Sequence, residues 1–441
     1  MMEKSIVDNP AFADRFAQIE ASDSPGWLAG RRKAAFAEYA ATGLPTVKEE
    51  EWRYTDMSAV AKTAYATPEE ADSKRVAALI EQHVLREAAA VMVFINGRYA
   101  AAHSRLDGVD GRVVLKSLRE AIDADGDTIE SAWGRCDAGE SSSFSALNEA
   151  LFEDGVYLHV PHEVVLETPI QALYLTVGGG APCMVNPRNL ITIGTSSQAS
   201  LVESYAGDGE YFVNAVTEIL SGENGVFDHY HVERESDQAV HMATIQMVQG
   251  RNSNVASKVI SLDGRLIRHN IGVVLDGEGA DCNLRGFYMV KGERHVDNHL
   301  NVDHAKPHCD SREFFKGVLD GSGRGVFRGR ILVREDAQKT DAKQTNQSLL
   351  LSPDARVESK PQLEIFADDV KCTHGATIGQ IDESALFYLQ SRGLSEQAAR
   401  TLLVYAFACE SLDEIKIESL RQKINAVIVD RLPQGHLFNE S

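Results

Sequence analysis

The segment Asp368-Asp369-Val370-Lys371-Cys372-Thr373-His374-Gly375-Ala376-Thr377 places a thiol and an imidazole two residues apart, near the end of a long strand-rich region. In an extended chain, residues i and i+2 point to the same face. Val370, Cys372 and His374 then share one face, with Lys371 and Thr373 on the other. Cysteine thiolate and neutral imidazole are the side chains most used to hold iron–sulfur clusters. The same spacing also suits a buried thiol and a hydrogen-bonded core imidazole, because free cysteine is among the most buried residue types. Spacing alone leaves both readings open.

A second dense stretch runs from Glu293 to Cys309. It carries His295, His299, His304 and His308 with Asp297, Asp303 and Cys309. Imidazole with carboxylate suits several transition metals, and on extended strands His295 and His299 share a face, as do His304 and His308. No pair has a standard zinc spacing, so stacking of these histidines between consecutive coils is the alternative to a metal site. Asp228-His229-Tyr230-His231 adds two more histidines at i, i+2, a weak signal by itself. The chain holds no G-x-S-x-G elbow, no G-x-x-x-x-G-K-[ST] phosphate loop and no G-x-G-x-x-G at a strand–helix junction.

The elements that must carry these groups fall into three regions. Residues 1–155 read as mostly helical: a helix from Leu28 to Ala41 stopped by Gly43-Leu44-Pro45, an aromatic segment Glu49–Tyr54, a helix over about Pro68–Ala89, and a short helix Phe144–Phe152. Val91–Ile95 followed by Asn96-Gly97 reads as a strand and tight turn. Residues 156–385 change character. Short apolar runs such as Val164–Leu166, Leu173–Leu175, Leu190–Ile193, Val259–Leu262 and Ile271–Leu275 alternate with Gly- and Asp-rich turns. That pattern means a sandwich, a barrel or a β-solenoid. No repeat of fixed length is visible, and the irregular coils favour a solenoid over a sandwich. Residues 386–441 read as helical again, from Ser391–Ser395 onward. Ser395 is the expected N-cap, Ala399, Leu402, Leu403, Ala406 and Phe407 form one stripe, and a second helix carries Ile417, Leu420, Ile424, Val427 and Ile428. Two such helices either cap a solenoid or present a docking surface.

At 441 residues the chain is long enough for two or three domains, and its 43 % hydrophobic and 25 % charged content is that of a soluble globular protein. A formal charge of −21 argues against nucleic acid or an anionic membrane as partner, since both need clustered Lys and Arg. The six cysteines are scattered, with no C-x-x-C pair, which argues against a disulfide framework and a structural zinc site. No secretory signal, organelle-type leader or apolar run of membrane length is visible, so a reducing cytoplasm is the expected compartment.

Several longer runs carry a resemblance. Gly325-Val326-Phe327-Arg328-Gly329-Arg330-Ile331, Lys343–Ser352, Pro361-Gln362-Leu363-Glu364-Ile365, Asp369–Thr377 and Leu386–Gly393 fit in order, as do Glu50–Thr55 and Val302-Asp303-His304. Over about residues 25–430 the chain resembles the SufB/SufD family of SUF iron–sulfur cluster scaffolds. It follows the SufD branch in having Lys-Cys-Thr-His-Gly-Ala where SufB has Lys-Cys-Gly-Ala-His, and Asn346-Gln347 close to where SufB has a cysteine.

The resemblance implies a right-handed parallel β-helix between helical N- and C-terminal regions. It implies a complex with SufB, through the β-helix, and with two copies of the ATPase SufC, on the C-terminal helices. It puts His374 at the cluster-linked histidine near the SufB interface and makes Cys372 the second candidate, with a transient iron–sulfur cluster shared with SufB. The expected role is a scaffold without catalytic activity of its own, and the surface that SufB would cover leaves room for a homodimer of the isolated chain, which the sequence does not decide. The alternatives are the paralogous SufB-like role, a β-helix enzyme acting on acidic polysaccharide, and a metal store on His295–His308.

Overall fold

A computed structural model of the chain describes residues 9–22, 24–136, 142–433 and 435. Residues 1–5, on which the reading of the leader rests, lie outside the described residues.

Strands buried on both faces read as short, nearly continuous apolar runs rather than clean alternation, and the region after residue 155 consists of such strands. Successive strands join two parallel sheets in turn. One sheet ends in Asn254–Asp263, Asp281–Val290, Asp310–Leu319, Asp341–Leu350 and Lys371–Gly379. The facing sheet ends in Leu266–Leu275, His295–His304, Arg324–Val333 and Arg356–Ile365. The result is a parallel β-helix flanked by helices, the solenoid alternative of the sequence reading. A repeat exists but is uneven: the register partners Asp281, Asp310, Asp341 and Lys371 lie 29, 31 and 30 residues apart. Turns of unequal length absorb the difference, which hides the period in the sequence.

Side chains of alternate residues fill the lumen, where Leu201, Phe227, Ile245, Val255, Ile271, Leu284, Val302, Phe315 and Phe327 form one core. The outer face of the first sheet is covered by the helices Ser73–His83, Glu396–Leu412 and Glu418–Arg431, with Tyr230, Val232, Ile260, Phe287 and Val318 against Val404, Ala408, Leu412, Ile424 and Ile428. The C-terminal helices therefore flank the solenoid and do not cap its end. The outer face of the second sheet is covered from the N-terminal side, with Phe212, Val240 and Met242 against Phe12, Trp52, Phe144 and Leu147.

Several elements differ from their expected form. The helix expected over Pro68–Ala89 spans only Ser73–His83, because Asp72 caps it and Val84 turns extended, after which Leu85 N–H donates to the Gln171 side chain. Val164–Leu166 forms a single bridge, Val165 with Gln198. The C-terminal helices begin at Glu383, not near Ser391, since Asp382 caps a helix Glu383–Ser391. Ser395 caps the next helix as expected, accepting from Ala398 N–H. Its buried side is Ala398, Ala399, Thr401, Val404, Ala408 and Leu412, which keeps Ala399 of the expected stripe but is rotated away from Leu402, Leu403, Ala406 and Phe407. Contacts with the sheet, not apolar content alone, chose it.

The N-terminal region also supplies strands. Ala90–Ile95 pairs in parallel with Ile170–Val177, and Asn96 and Gly97, both at positive φ, turn the chain back to Arg98–Tyr99. Val114–Ser117 pairs antiparallel with Val156–Val160. These antiparallel strands close one end of the solenoid. At the other end, among the described strands, Lys371–Gly379 pairs only with Asp341–Leu350, and Arg356–Ile365 only with Arg324–Val333.

Candidate functional site

Cys372 and His374 lie on the last strand of the solenoid, Lys371–Gly379, whose outer edge has no partner strand among the described residues. In register, Cys372 stands beside Ala342 and His374 beside Gln344. Ala342 belongs to the lumen core and Cys372 packs against it, so alternation turns His374 to the same lumen-facing side. The shared face read from the sequence is therefore the inner face of an open end. Cys372 is half-buried and His374 exposed. Burial pushes the Cys372 thiol up, opposed by a backbone hydrogen bond from Ala342. A thiol in that state ionises when a cation binds it. The imidazole of His374 makes no hydrogen bond to a described residue.

The face continues inward as a polar column. Gln344, in register between His374 and Glu313, donates from Nε2 to Glu313 Oε2 at 2.6 Å. Burial raises the Glu313 carboxyl to about 8, against the opposing effect of that hydrogen bond. Gly329 makes room for the column, since a Cβ there would lie 2.2 Å from Gln344 Nε2. Asn346 is buried, donates to Ser359 Oγ at 3.1 Å, and leaves its Oδ1 without a partner.

Around this end the surface is apolar. Phe366 is 64 % exposed and Phe387 72 %, with Ile365, Ile378 and Tyr388 also exposed. Exposed large apolar groups beside free strand edges mark an association surface.

The four histidines of the second stretch are not brought together. His295 and His299 face outward against the N-terminal segment: His295 Nε2 lies 3.0 Å from Thr55 Oγ1, and His299 lies 3.0 Å from Asp297 and 3.1 Å from Arg268. His304 is fully buried and bonds Ser311 Oγ at 2.9 Å. His308 is exposed on a turn, at φ 59°. Nor do they stack on one another between coils: Asn270 and Arg328 flank His299, while Leu275 and Val333 flank His304. The lumen instead gathers His229 and His231 with His241, His269, Glu203 and Glu233, all fully buried. The sequence shows the His229/His231 pair, with Glu233 two residues further along the same strand, whereas Glu203, His241 and His269 come from neighbouring strands.

Comparison with known proteins gives this geometry a family. A family model described as "SUF system FeS cluster assembly, SufBD core domain" matches residues 175–407, and one for the "SufBD protein N-terminal region" matches residues 10–172. The chain is 32 % identical to an iron–sulfur cluster assembly SufBD family protein of Synechocystis over 91 % of this chain and 90 % of that protein. It is 31 % identical to the iron–sulfur cluster assembly protein SufD of Escherichia coli over 89 % of this chain and 90 % of that protein. It is 32 % identical to the chloroplastic protein ABCI7 of Arabidopsis thaliana over 66 % of this chain and 62 % of that protein. These matches leave the polysaccharide enzyme without support. The chain belongs to the SufBD family and acts in iron–sulfur cluster assembly.

Proposed function

We propose that this chain is the SufD-type subunit of a cytoplasmic SUF scaffold, without catalytic activity of its own. In this reading it completes a transient cluster site together with SufB at the open end of the β-helix. The observation that carries the proposal is the placement of His374 and Cys372 on an unpartnered edge strand amid exposed apolar residues. A cluster cage takes about four protein ligands, and this strand offers two donors, so a second chain supplies the rest. His374 is the ligand and Cys372 the second donor. A histidine ligand raises a cluster's potential and is lost on protonation, which suits a cluster held as cargo and then given away. The ATPase SufC docks on the helices Glu383–Ser391, Glu396–Leu412 and Glu418–Arg431, and its movement is passed to the open end through them. The isolated chain covers the same edge with a second copy of itself.

The test is anaerobic co-purification with SufB and SufC, using wild type and His374→Ala, followed by an absorption spectrum after cluster reconstitution. A complex in both, with cluster absorbance lost only in the variant, is expected. An unchanged spectrum would overturn the ligand assignment. Loss of the complex itself would make His374 an interface residue. The mass of the isolated chain in solution reports the homodimer.

A further inference from the structure

Well away from the open end, the lumen contains a group of ionisable side chains that the cluster site does not use. Glu203, His229, His231, Glu233, His241 and His269 are all 0 % exposed, and Glu235 is buried beside them. They reach one another across coils: Glu203 is in register with His231, and the strand Val240–Gln249 brings His241 from the facing sheet.

The hydrogen-bond pattern fixes where lone pairs point. His241 Nδ1 lies 3.0 Å from Glu235 Oε2. A carboxylate only accepts, so that nitrogen carries the proton and, in the neutral ring, Nε2 carries a lone pair. This Nε2 faces His231 Nε2 at 3.3 Å. His231 Nε2 is in turn 3.0 Å from Glu233 Oε1. One proton on His231 Nε2 can serve only one of those two acceptors. On the other side of the ring, His231 Nδ1 makes no hydrogen bond to a described residue, and Glu203 Oε2 stands 3.4 Å away. Two imidazole nitrogens and a carboxylate oxygen thus lie within 4.8 Å of one another in the buried lumen, where His269 Nε2 also reaches Glu233 Oε1 at 2.5 Å. A tetrahedral ion with bonds of roughly 2.0–2.1 Å holds its ligand atoms roughly 3.3 Å apart, close to the 3.3 Å and 3.0 Å from His231 Nε2 to His241 Nε2 and Glu233 Oε1.

The surroundings have the form of an outer shell. Glu235 orients His241 through its hydrogen bond, the carboxylate–histidine–metal arrangement that fixes tautomer and ring orientation, while Glu203 stands 3.4 Å behind His231 Nδ1 as a nearby negative charge. The Tyr205 ring lies 4.6 Å from His231 and 4.7 Å from His241 and closes the group off. We propose that His231 Nε2, His241 Nε2 and Glu233 Oε1 bind one first-row divalent cation of borderline softness, such as Zn2+ or Fe2+, as a structural ion locked inside the solenoid. Two imidazoles and a carboxylate suit that class of ion. With every ligand fully buried, the ion enters as the coils close and is held by the folded lumen.

The test uses the full chain carrying Cys372→Ser and His374→Ala, so that the outer donors add nothing to the count. The chain is purified, dialysed natively against EDTA, and its metal content measured. It is then unfolded in guanidinium with EDTA and refolded with one equivalent of Co2+ or with none. One equivalent of metal surviving native dialysis, or one Co2+ retained after refolding with the visible d–d absorption of a four-coordinate ion, is the expected result. His241→Gln and Glu233→Gln are expected to lose that equivalent. A purified chain that holds no metal and refolds to the same thermal midpoint with and without Co2+ would overturn the proposal. The group would then be a network held by protons. Should the glutamine variants not fold, the metal content of the Cys372→Ser, His374→Ala chain decides alone.

Discussion

His374 lies in register with Gln344, one strand in from the open edge of the solenoid, and Gln344 donates to the buried carboxyl group of Glu313. The exposed candidate ligand is thus the outer end of a polar column that reaches into the lumen. What happens in that column is measurable through stability.

Glu313 makes folding depend on pH. Its carboxyl is raised by burial to about 8 in the folded chain, from an ordinary value near 4.5. Between those values the folded state keeps a proton that the unfolded state has lost, so stability falls as pH rises. The contribution is full below about pH 4.5 and declines by about 1.4 kcal/mol per unit toward pH 8. In Glu313→Gln this slope disappears. Urea unfolding of both proteins from pH 5 to 8 should show their difference moving in the variant's favour as pH rises. Parallel curves would mean that Glu313 is already ionised in the fold.

Gly329 holds space for Gln344. A Cβ at this position meets Gln344 Nε2 at 2.2 Å and Cδ at 2.6 Å, and Gln344 is itself buried and bonded. Gly329→Ala should cost about 1–3 kcal/mol through overpacking and the displaced hydrogen bond. Gln344→Ala in the same chain should recover part of that loss, since the two residues share one space. Additive losses in a double-mutant cycle would show that the strain lies elsewhere.

Arg268 ties the N-terminal segment to the solenoid. It is 2 % exposed, pairs with Asp297 at 2.6 Å, donates to the Glu51 carbonyl at 3.0 Å, and stacks 3.7 Å over Trp52. Burial works against the charge on Asp297, but Arg268 and His299 hold its carboxyl well below the usual carboxylate range. Arg268→Ala leaves that buried charge without its main partner and should cost about 3–5 kcal/mol. Hydrogen exchange should rise first around Glu50–Thr55. A loss under about 1 kcal/mol would show that water takes over the guanidinium's place.

The sequence by itself determined the parts that depend on local chemistry. Ser395 is a cap because its hydroxyl meets a free N–H three residues on. Asn96-Gly97 turns because both tolerate positive φ. Val370, Cys372 and His374 share a face because strands alternate with period two. The motif runs from Gly325 to Gly393 carry the family resemblance in the sequence alone.

Tertiary structure decided whatever depends on which coil lies beside which. Coils of 29, 31 and 30 residues have no exact period, so register cannot be counted along the chain. That register sets Gln344 and Glu313 beneath His374 and parts His295 and His299 from His304 and His308. It also brings His231 and His241 to 3.3 Å from strands in facing sheets. The rotated face of Glu396–Leu412 has the same origin. Apolar residues lie on more than one side of that helix, and the sheet it packs against selects among them.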